Sequence, residues 1–302
     1  MTPVRLSSRG LAAGVAAFTI WGLFPAYLHQ LSAVPALEIV AHRIVWSCLF
    51  LIVVLLLRAE LGRLTTTLGK PRLLAGLATS AFLITCNWLV YVWSVTHQHI
   101  VESSLGYYIN PLVNVLLGVL VLRERPSAVQ WSAIALAAVA VLYLAVDAGR
   151  PPWIALALAF SFSLYGFVRK VISVDALPGL ATETLLLFPF ALGWLVWRET
   201  TGAAAFTHDG PAIAALLVGA GICTAVPLFL FAYGARRLPY STVGVLQYIG
   251  PSLQLICGVL FYHESFGRSR AAGFGLLWVA LVLYAAEGLW RARALSRRTV
   301  RA

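Results

Sequence analysis

Ten apolar runs follow one another along this chain of 302 residues, and they constrain its fold more than any other feature. A run of about 20 apolar residues is long enough to cross a hydrocarbon core about 30 Å thick as an α-helix. Strands of a membrane barrel are shorter and alternate apolar with polar residues, which these runs do not do. We predict an all-α membrane protein with spans near residues 10–28, 37–57, 74–95, 103–122, 128–146, 153–169, 177–197, 212–235, 241–262 and 271–290.

The composition agrees with a lipid environment, since 61% of the residues are apolar and only 11% are charged. A water-exposed surface needs more charge than that.

The first run follows Arg5 and Arg9 and admits a signal peptide as an alternative, but nine similar runs come after it, so we interpret it as the first span. The cysteines indicate neither a disulfide framework nor a metal site, because all fall within predicted spans: Cys48, Cys86, Cys223 and Cys257.

The net charge of +11 is distributed unevenly between the two ends of the predicted spans. With the first span starting inside the cell, 17 basic residues lie on the cytoplasmic side and four lie on the other. Because lysine and arginine are retained on the cytoplasmic side, we predict that both chain termini are cytoplasmic. The basic tail, residues 288–302, is interpreted as an anchor to anionic lipid, and we expect no binding of nucleic acid.

One internal repeat recurs at an offset of 140 residues. Residues 108–124 read YINPLVNVLLGVLVLRE and residues 248–264 read YIGPSLQLICGVLFYHE, with seven identities and no gap. The same offset aligns VAVLYLAVD at 139–147 with VALVLYAAE at 279–287. The repeat therefore extends over more than one pair of helices.

The repeat divides the chain into two five-helix halves, residues 10–147 and 150–287. Five is an odd number of spans, so the second half is predicted to enter the membrane inverted relative to the first. Two similar halves of opposite orientation can exchange conformations and open one central cavity to each side in turn. This organisation predicts a transporter.

Pro111 and Pro251 interrupt apolar segments at corresponding positions of the two halves, which is the usual sequence indicator of a transporter binding site. Each proline removes the hydrogen-bond donor for the carbonyl four residues earlier, at Tyr107 and Gln247. We expect helix kinks at both prolines and carbonyls free to bind substrate. The alternative is a packing kink whose carbonyls are satisfied by neighbouring side chains.

Polar and aromatic side chains surround these two prolines, and we regard them as candidate substrate-binding residues. The alternative for each is a hydrogen bond or a packing contact between helices. The candidates are Asn87, Tyr91, Trp93, Tyr107, Tyr108, Asn110, Asn114, Gln247, Tyr248 and Gln254.

Arg43 and Glu183 are ionisable residues within the predicted spans, and they stand at equivalent positions of the repeat. A charge inside a membrane is costly, so it indicates either a function or a partner. Arg43 is a candidate for binding a substrate carboxylate or phosphate, and Glu183 for binding an amine or a coupling proton. The alternative for Arg43 is an ion pair with Glu38 or Glu102, or extension of its side chain to the lipid headgroups.

Several motifs for other chemistry are incomplete in this sequence. The segment GRLTTTLGK at 62–70 has its glycines too far apart for a phosphate-binding loop. His263 and Glu264 begin a zinc-protease pattern that lacks its second histidine, and Glu264 is interpreted instead as pairing with nearby arginines. We therefore expect no cofactor, no metal and no enzymatic activity.

Six stretches of the chain resemble the RarD family, EamA-type proteins of the drug/metabolite transporter superfamily. They are FTIWGLFPAY at 18–27, EIVAHRIVWS at 38–47, NWLVYVWSV at 87–95, ESSLGYYINPLVN at 102–114, AFSFSLYGFVRK at 159–170 and VGVLQYIGP at 243–251.

The resemblance implies ten spans in two inverted EamA repeats, with the third, fourth, eighth and ninth spans among the walls of the central cavity. It also implies a bacterial inner membrane and the movement of small metabolites or drugs. Related small multidrug exporters depend on an acid in their first span, which this chain lacks. This absence argues against proton-coupled export of cationic drugs by the same mechanism. A passive or exchange mechanism for zwitterionic or anionic metabolites fits Arg43 better. The alternative is a membrane receptor or sensor that binds a small ligand without transporting it.

Overall fold

The computed structural model describes residues 7–123, 127–172, 174–235, 237–238 and 240–299. Within these ranges the regular structure consists of α-helices without strands. The helices are α1 (Ser8–His29), α2 (Ala36–Leu57), α3 (Leu61–Leu68), α4 (Pro71–Thr96), α5 (Ile100–Leu122), α6 (Ala128–Asp147), α7 (Trp153–Val171), α8 (Ala176–Thr200), α9 (Ala205–His208), α10 (Pro211–Ala235), α11 (Tyr240–Leu246), α12 (Ile249–Leu260) and α13 (Arg268–Thr299).

The predicted fold class is confirmed. Nine helices of the described chain are long and apolar enough to cross a membrane, and the shorter apolar helix α12 supplies most of the remaining span. The predicted ninth span is divided, because Gln247 and Tyr248 form a turn between α11 and α12. This division falls at the carbonyl that Pro251 deprives of its donor. By contrast, α5 continues through Pro111 as one helix.

Local sequence signals explain where several helices begin. The Ser7 hydroxyl accepts from the amide of Gly10 and caps α1. Ser127 and Gln130 form a reciprocal capping box at the start of α6, which satisfies two amides that have no partner within the helix. Pro71 is the first residue of α4, where its missing amide hydrogen costs nothing.

The principal helix contacts join the first half of the chain to the second. Helix α1 packs against α10 and α12, and α7 packs against α4 and α5. At the offset of 140 residues these are equivalent arrangements, since α1 corresponds to α7, α10 to α4 and α12 to α5. Helix α2 packs closely on α10, whereas α8, its counterpart, packs less extensively on α4. Helices α6 and α13 pack together.

Two carboxylates in the first turns of α2 and α5 join helices of the two halves. Glu38 accepts from Arg198 at 2.9 Å and from the amide of Ala205 at 2.7 Å. Glu102 accepts from Arg150 at 2.7 Å and from the amide of Ile154 at 3.1 Å. Each of these carboxylates belongs to the first half and binds groups of the second half.

Glu264 makes the reverse connection, from the second half to the start of α5. Its two carboxylate oxygens accept from the amides of Ile100 at 2.5 Å and Val101 at 2.9 Å. These amides have no partners within their own helix, and the positive end of the helix dipole favours a carboxylate there. Where the sequence predicted pairing with arginines, the structure therefore places a helix cap.

Some sequence predictions concern residues outside the described part of the chain. Arg5, Arg125 and Arg236, three of the basic residues counted on the cytoplasmic side, are among them, and so is Glu124 at the end of the repeated segment 108–124. Of the basic tail predicted for residues 288–302, the structure describes the backbone as far as Thr299, where it continues α13, and the side chain of Trp290.

Candidate functional site

Arg43 lies buried among helices α1, α2, α4 and α10, with only 5% of its surface exposed. Its Nε atom donates to the Thr224 hydroxyl at 3.0 Å. Its guanidinium carbon lies 5.0 Å from the ring centre of Phe24 and 4.8 Å from that of Trp88, so the cation is held between two aromatic faces. Among the described residues, its Nη1 atom has no hydrogen-bond partner.

Two tyrosines extend this aromatic enclosure. The ring of Tyr91 stacks on Phe24 at 6.4 Å and meets the edge of Tyr107 at 5.7 Å. The Tyr91 hydroxyl is buried and, like Nη1 of Arg43, has no hydrogen-bond partner among the described residues. We call Phe24, Arg43, Trp88, Tyr91 and Tyr107 the Arg43 cage.

Asn87 fixes one wall of the cage to the second half of the chain. Its amide nitrogen donates to the carbonyl of Leu158 at 3.1 Å and to the Ser161 hydroxyl at 3.0 Å. Its carbonyl oxygen accepts from the Tyr107 hydroxyl at 3.2 Å. Because all of these atoms are satisfied, Asn87 orients Tyr107 and holds α4 against α7.

Close packing of α10 on α2 brings Thr224 to Arg43. A side chain at Gly221 would place its Cβ 2.8 Å from the amide nitrogen of Ser47, so only glycine allows this approach. The Ser47 hydroxyl also donates to the carbonyl of Gly221 at 3.0 Å. One turn after Gly221, the Thr224 side chain faces the guanidinium.

Proline interrupts α1 and α10 next to the cage. Pro25 leaves the carbonyl of Trp21 without its helical donor, and Nε2 of Gln254 lies 3.4 Å from that oxygen. Pro227 likewise removes the helical donor for the carbonyl of Cys223. Gln254 is buried, and among the described residues its Oε1 has no hydrogen-bond partner.

Glu183 lies apart from the cage, in a polar cluster on α4, α7 and α8, and it is completely buried. The Ser80 hydroxyl donates to its Oε1 at 2.5 Å. Arg169 Nη1 lies 3.5 Å from the same oxygen, and the Tyr165 hydroxyl lies 3.5 Å from Oε2. We call these four residues the Glu183 cluster.

Two predicted site residues form a separate seam between α5 and α12. The rings of Tyr108 and Tyr248 stack with their centres 6.4 Å apart, and the Tyr108 hydroxyl lies 2.7 Å from the Ser252 hydroxyl. Tyr108 also meets the edges of Phe274 and Trp278. This seam joins corresponding helices of the two halves.

The remaining candidates are dispersed. Asn110 is buried and accepts a short hydrogen bond from Ser163, which ties α5 to α7. Asn114 is exposed, although its counterpart Gln254 is buried. Trp93 packs on His97 near the end of α4, and Gln247 lies half-buried in the turn before α12.

The structure therefore brings together Arg43, Asn87, Tyr91 and Tyr107, and it adds three residues that the sequence analysis did not select: Phe24, Trp88 and Thr224. The sequence carried a signal for two of them. Phe24 precedes Pro25 in the first span, and Thr224 lies one turn before Pro227 in the eighth. Neither Pro25 nor Pro227 recurs at the offset of 140 residues, so the repeat does not indicate them.

The alternative prediction, an ion pair between Arg43 and either Glu38 or Glu102, is wrong. Glu38 is bound to Arg198, and Glu102 is bound to Arg150, so neither carboxylate reaches Arg43. His42, the preceding residue, accepts from the Trp46 indole at 3.2 Å and stacks on Phe206 away from the cage. A buried guanidinium with one unpaired nitrogen is suited to a carboxylate or phosphate oxygen.

Two other features bear on the choice of site. Among the residues that the structure describes, no group of three or more His, Cys, Asp or Glu side chains is arranged to hold a metal ion. An apolar groove of about 700 Å³ lies between α5, α6 and α7, and its lining shares no residue with the cage or with the Glu183 cluster.

Comparisons with known proteins give the family. The model of the EamA-like transporter family matches residues 8–146 and, a second time, residues 151–286. One solved crystal structure has a TM-score of 0.60 at 17% identity, over 91% of this chain and 96% of its own, and this likeness shows the fold alone.

Several relatives match almost end to end. Protein RarD of Streptomyces exfoliatus is 45% identical over 94% of this chain and 90% of its own length. Protein RarD of Escherichia coli is 40% identical over 97% and 99%, respectively. The chloramphenicol-sensitive protein RarD of Pseudomonas aeruginosa is 31% identical over 98% and 100%. This chain therefore belongs to the EamA-like transporter family, as a multi-pass membrane protein whose relatives over nearly its whole length include the RarD proteins.

Proposed function

We propose that this transporter is a secondary carrier that moves small zwitterionic or anionic metabolites, or drugs with such a group, by alternating access. The observation that carries the proposal is the Arg43 cage. Its guanidinium is buried within the bundle, has no carboxylate partner among the described residues and keeps one nitrogen unpaired. A buried charge that is incompletely paired costs free energy, and we expect such a charge where a ligand supplies the missing partner.

The chemistry of the cage supports an oxyanion as the bound group. The unpaired Nη1 of Arg43 and the unpaired hydroxyl of Tyr91 are both hydrogen-bond donors. The guanidinium carbon lies over the rings of Phe24 and Trp88, and neither ring offers an acceptor to the N–H edge of the guanidinium. A carboxylate or phosphate that displaced water from this edge would gain a charge-assisted hydrogen bond in a medium of low polarity.

The packing between the halves supports alternating access. Helix α2 packs more closely on α10 than its equivalent α8 does on α4. Two inverted halves in different conformations would differ in this way, and exchange of those conformations would move the opening from one end to the other. We propose that residues 10–147 and 150–287 are these halves.

The proposal includes the bacterial inner membrane as the location and the cytoplasm for both termini. The uneven distribution of basic residues supports this orientation. A fluorescent protein fused after residue 302 is expected to mature, whereas alkaline phosphatase fused there is expected to stay inactive. Active phosphatase at this position would contradict the orientation.

Counterflow in proteoliposomes tests the function. Vesicles loaded with unlabelled amino acids, nucleosides or chloramphenicol are diluted into the same solute with label, and transient accumulation of label is measured. Wild type is expected to show saturable counterflow for at least one solute. Arg43→Ala is expected to lose it, Arg43→Lys to retain part of it, and Arg72→Ala, at an exposed position, to behave as wild type.

The outcomes separate the competing functions. Counterflow that survives in Arg43→Ala would remove Arg43 from the binding site. Ligand-induced thermal stabilisation without counterflow would favour a receptor or sensor over a transporter.

A further inference from the structure

We infer that Glu183 is the proton-binding group that couples transport to a proton gradient, with Arg169 as its partner when the proton is absent. This inference rests on the transport function proposed above. It assigns a role to the second ionisable cluster of the bundle, which the Arg43 cage leaves unexplained.

The position of Glu183 suits a group that changes its protonation. It lies seven residues into α8, which is about 10 Å along the helix from its start. Its side chain is fully buried, yet Arg169, near the end of α7, keeps 15% of its side chain exposed. Part of the Arg169 side chain therefore reaches the surface of the helix bundle, whereas its Nη1 atom and the carboxylate are buried.

The ion pair is poorly made for a permanent structural link. The closest approach between Arg169 and Glu183 is 3.5 Å, and among the described residues Nη1 of Arg169 has no hydrogen-bond partner. The pair between Arg198 and Glu38 is different, with two hydrogen bonds at 2.9 and 3.2 Å. A long pair with an unsatisfied donor is easier to separate.

The groups around Glu183 favour a proton over a metal cation. Helix α7 presents Arg169 and Tyr165, and α4 presents Ser80. Helix α2 presents Cys48, which lies beside Thr184, and the exposed Arg63 of α3 pairs with Asp175 before α8 begins. The nearest fixed charge is therefore positive, and it would repel a metal ion while leaving room for neutralisation by a proton.

A chain of contacts connects this cluster to the Arg43 cage. The Tyr107 hydroxyl donates to Asn87, which donates in turn to Ser161 on α7. One helical turn further along α7, Tyr165 reaches Glu183. A shift of α7 relative to α4 would alter both sites, so binding of a ligand in the Arg43 cage can change the surroundings of Glu183.

Glu183 binds its proton when α7 moves away from α8. When α7 carries Arg169 toward water, Glu183 is left as an unpaired carboxylate in an apolar interior, and it takes up one proton from water on that side. When the carrier opens to the other side and Arg169 returns, the carboxylate releases that proton to water on that other side, and the ion pair forms again. The guanidinium keeps its charge throughout, so each cycle binds and releases one proton.

Gradient-driven flux distinguishes coupling from transport itself. The solute is one that gives counterflow with wild type, and accumulation is measured with and without a pH difference across the vesicle membrane. Glu183→Gln keeps an acceptor for Ser80, and it is expected to retain counterflow but lose the stimulation by the pH difference. Glu60→Gln, which removes a carboxylate from the loop before α3, is expected to retain both.

A second measurement needs no transported solute. Infrared difference spectra between acidic and alkaline pH are recorded for Arg169→Gln, for the double variant Arg169→Gln with Glu183→Gln, and for wild type. The carbonyl band of a neutral carboxylic acid is expected to be strongest in the single variant, because its Glu183 lacks an ionic partner. The double variant is expected to lose this band.

Each result has a defined meaning. Absence of wild-type counterflow would contradict the proposed transport function rather than the coupling. Counterflow that responds to the pH difference in Glu183→Gln, or that does not respond in wild type, would overturn the role of Glu183. An Arg169→Gln spectrum no different from that of the double variant would overturn proton binding at this carboxylate.

Discussion

Arg43 and Thr224 are joined by a hydrogen bond of 3.0 Å between side chains that lie 181 residues apart in the sequence. The bond links α2 of the first half to α10 of the second. It gives the Nε atom of Arg43 an acceptor, whereas the Nη1 atom has none among the described residues. The position of the guanidinium in its cage therefore depends on contact between the two halves.

Replacing Thr224 by valine tests this dependence. Valine has nearly the same shape but no hydroxyl, so Nε of Arg43 would be buried without an acceptor. We expect a loss of about 1–3 kcal/mol in stability, because a buried donor left unsatisfied costs its full desolvation. Thermal unfolding in detergent measures the change. Thr224→Ser restores the hydroxyl and is expected to recover most of the loss, and equal stability of the valine variant and wild type would contradict the account.

The contribution of Trp88 to the Arg43 cage is testable by a double-mutant cycle. Trp88→Leu, Arg43→Gln and the double variant are compared with wild type, so that the loss of packing at Trp88 cancels. We expect a coupling energy of about 0.5–2 kcal/mol, the range for a cation over an aromatic face away from water. Unfolding free energies in mixed micelles give the four values. Additive effects would show that the ring and the cation do not interact.

Close approach of α2 and α10 should depend on Gly221. Gly221→Ala would bring a methyl group against the backbone of Ser47, which cannot rotate away, and the helices must separate. We expect a loss of about 1–3 kcal/mol, typical of overpacking, together with weaker counterflow because Thr224 moves from Arg43. Gly166→Ala is the matched control, since a methyl group there meets open space. Similar behaviour of the two variants would argue against close packing as the cause.

The sequence predicted the ten spans because each span is defined by its own length and hydrophobicity. It indicated Arg43 and Glu183 as candidate site residues because a charge inside an apolar run is visible without knowledge of the fold. It did not predict their partners, Thr224 and Ser80, which come from helices 181 and 103 residues away. Those contacts depend on how the helices pack, and no short segment contains that information.

The effects of the two repeated prolines also depend on packing that the sequence does not reveal. Pro111 and Pro251 were expected to act alike, yet only the second follows a break between helices. The environment of each helix decides whether a proline is accommodated or divides the span. Pro25 has no counterpart in the repeat, so the repeat does not indicate it, although the Trp21 carbonyl that it frees faces Gln254.

Glu38 is expected to be among the most sensitive positions of the fold. Glu38→Ala would leave Arg198 without its partner and the Ala205 amide without its acceptor, both in a largely buried setting. We expect a loss of about 3–5 kcal/mol, as for other buried pairs broken on one side. Glu60→Ala, whose ion pairs lie near the surface, is expected to cost no more than about 1 kcal/mol. Comparable losses in the two variants would contradict the structural role given to Glu38.

The Glu264 cap of α5 predicts a specific dependence of stability on pH. Burial raises the pKa of the Glu264 carboxyl above its ordinary value near 4.5, although the amides of Val101 and Ile100 partly oppose this effect. Between the ordinary and the raised pKa, the folded protein binds more protons than the unfolded chain, so the contribution of this group is lost as the pH rises.

A neutral side chain at this position removes that titration. In Glu264→Gln, the difference in melting temperature from wild type should move in favour of the variant as the pH rises from about 4 through the raised pKa. Loss of one good acceptor for the two amides adds a constant penalty, which does not change with pH. Tryptophan fluorescence during heating measures both proteins across the pH range. A difference that stays constant would mean that Glu264 has the same pKa in the folded and unfolded chains, and that its cap is as well solvated as an exposed carboxylate.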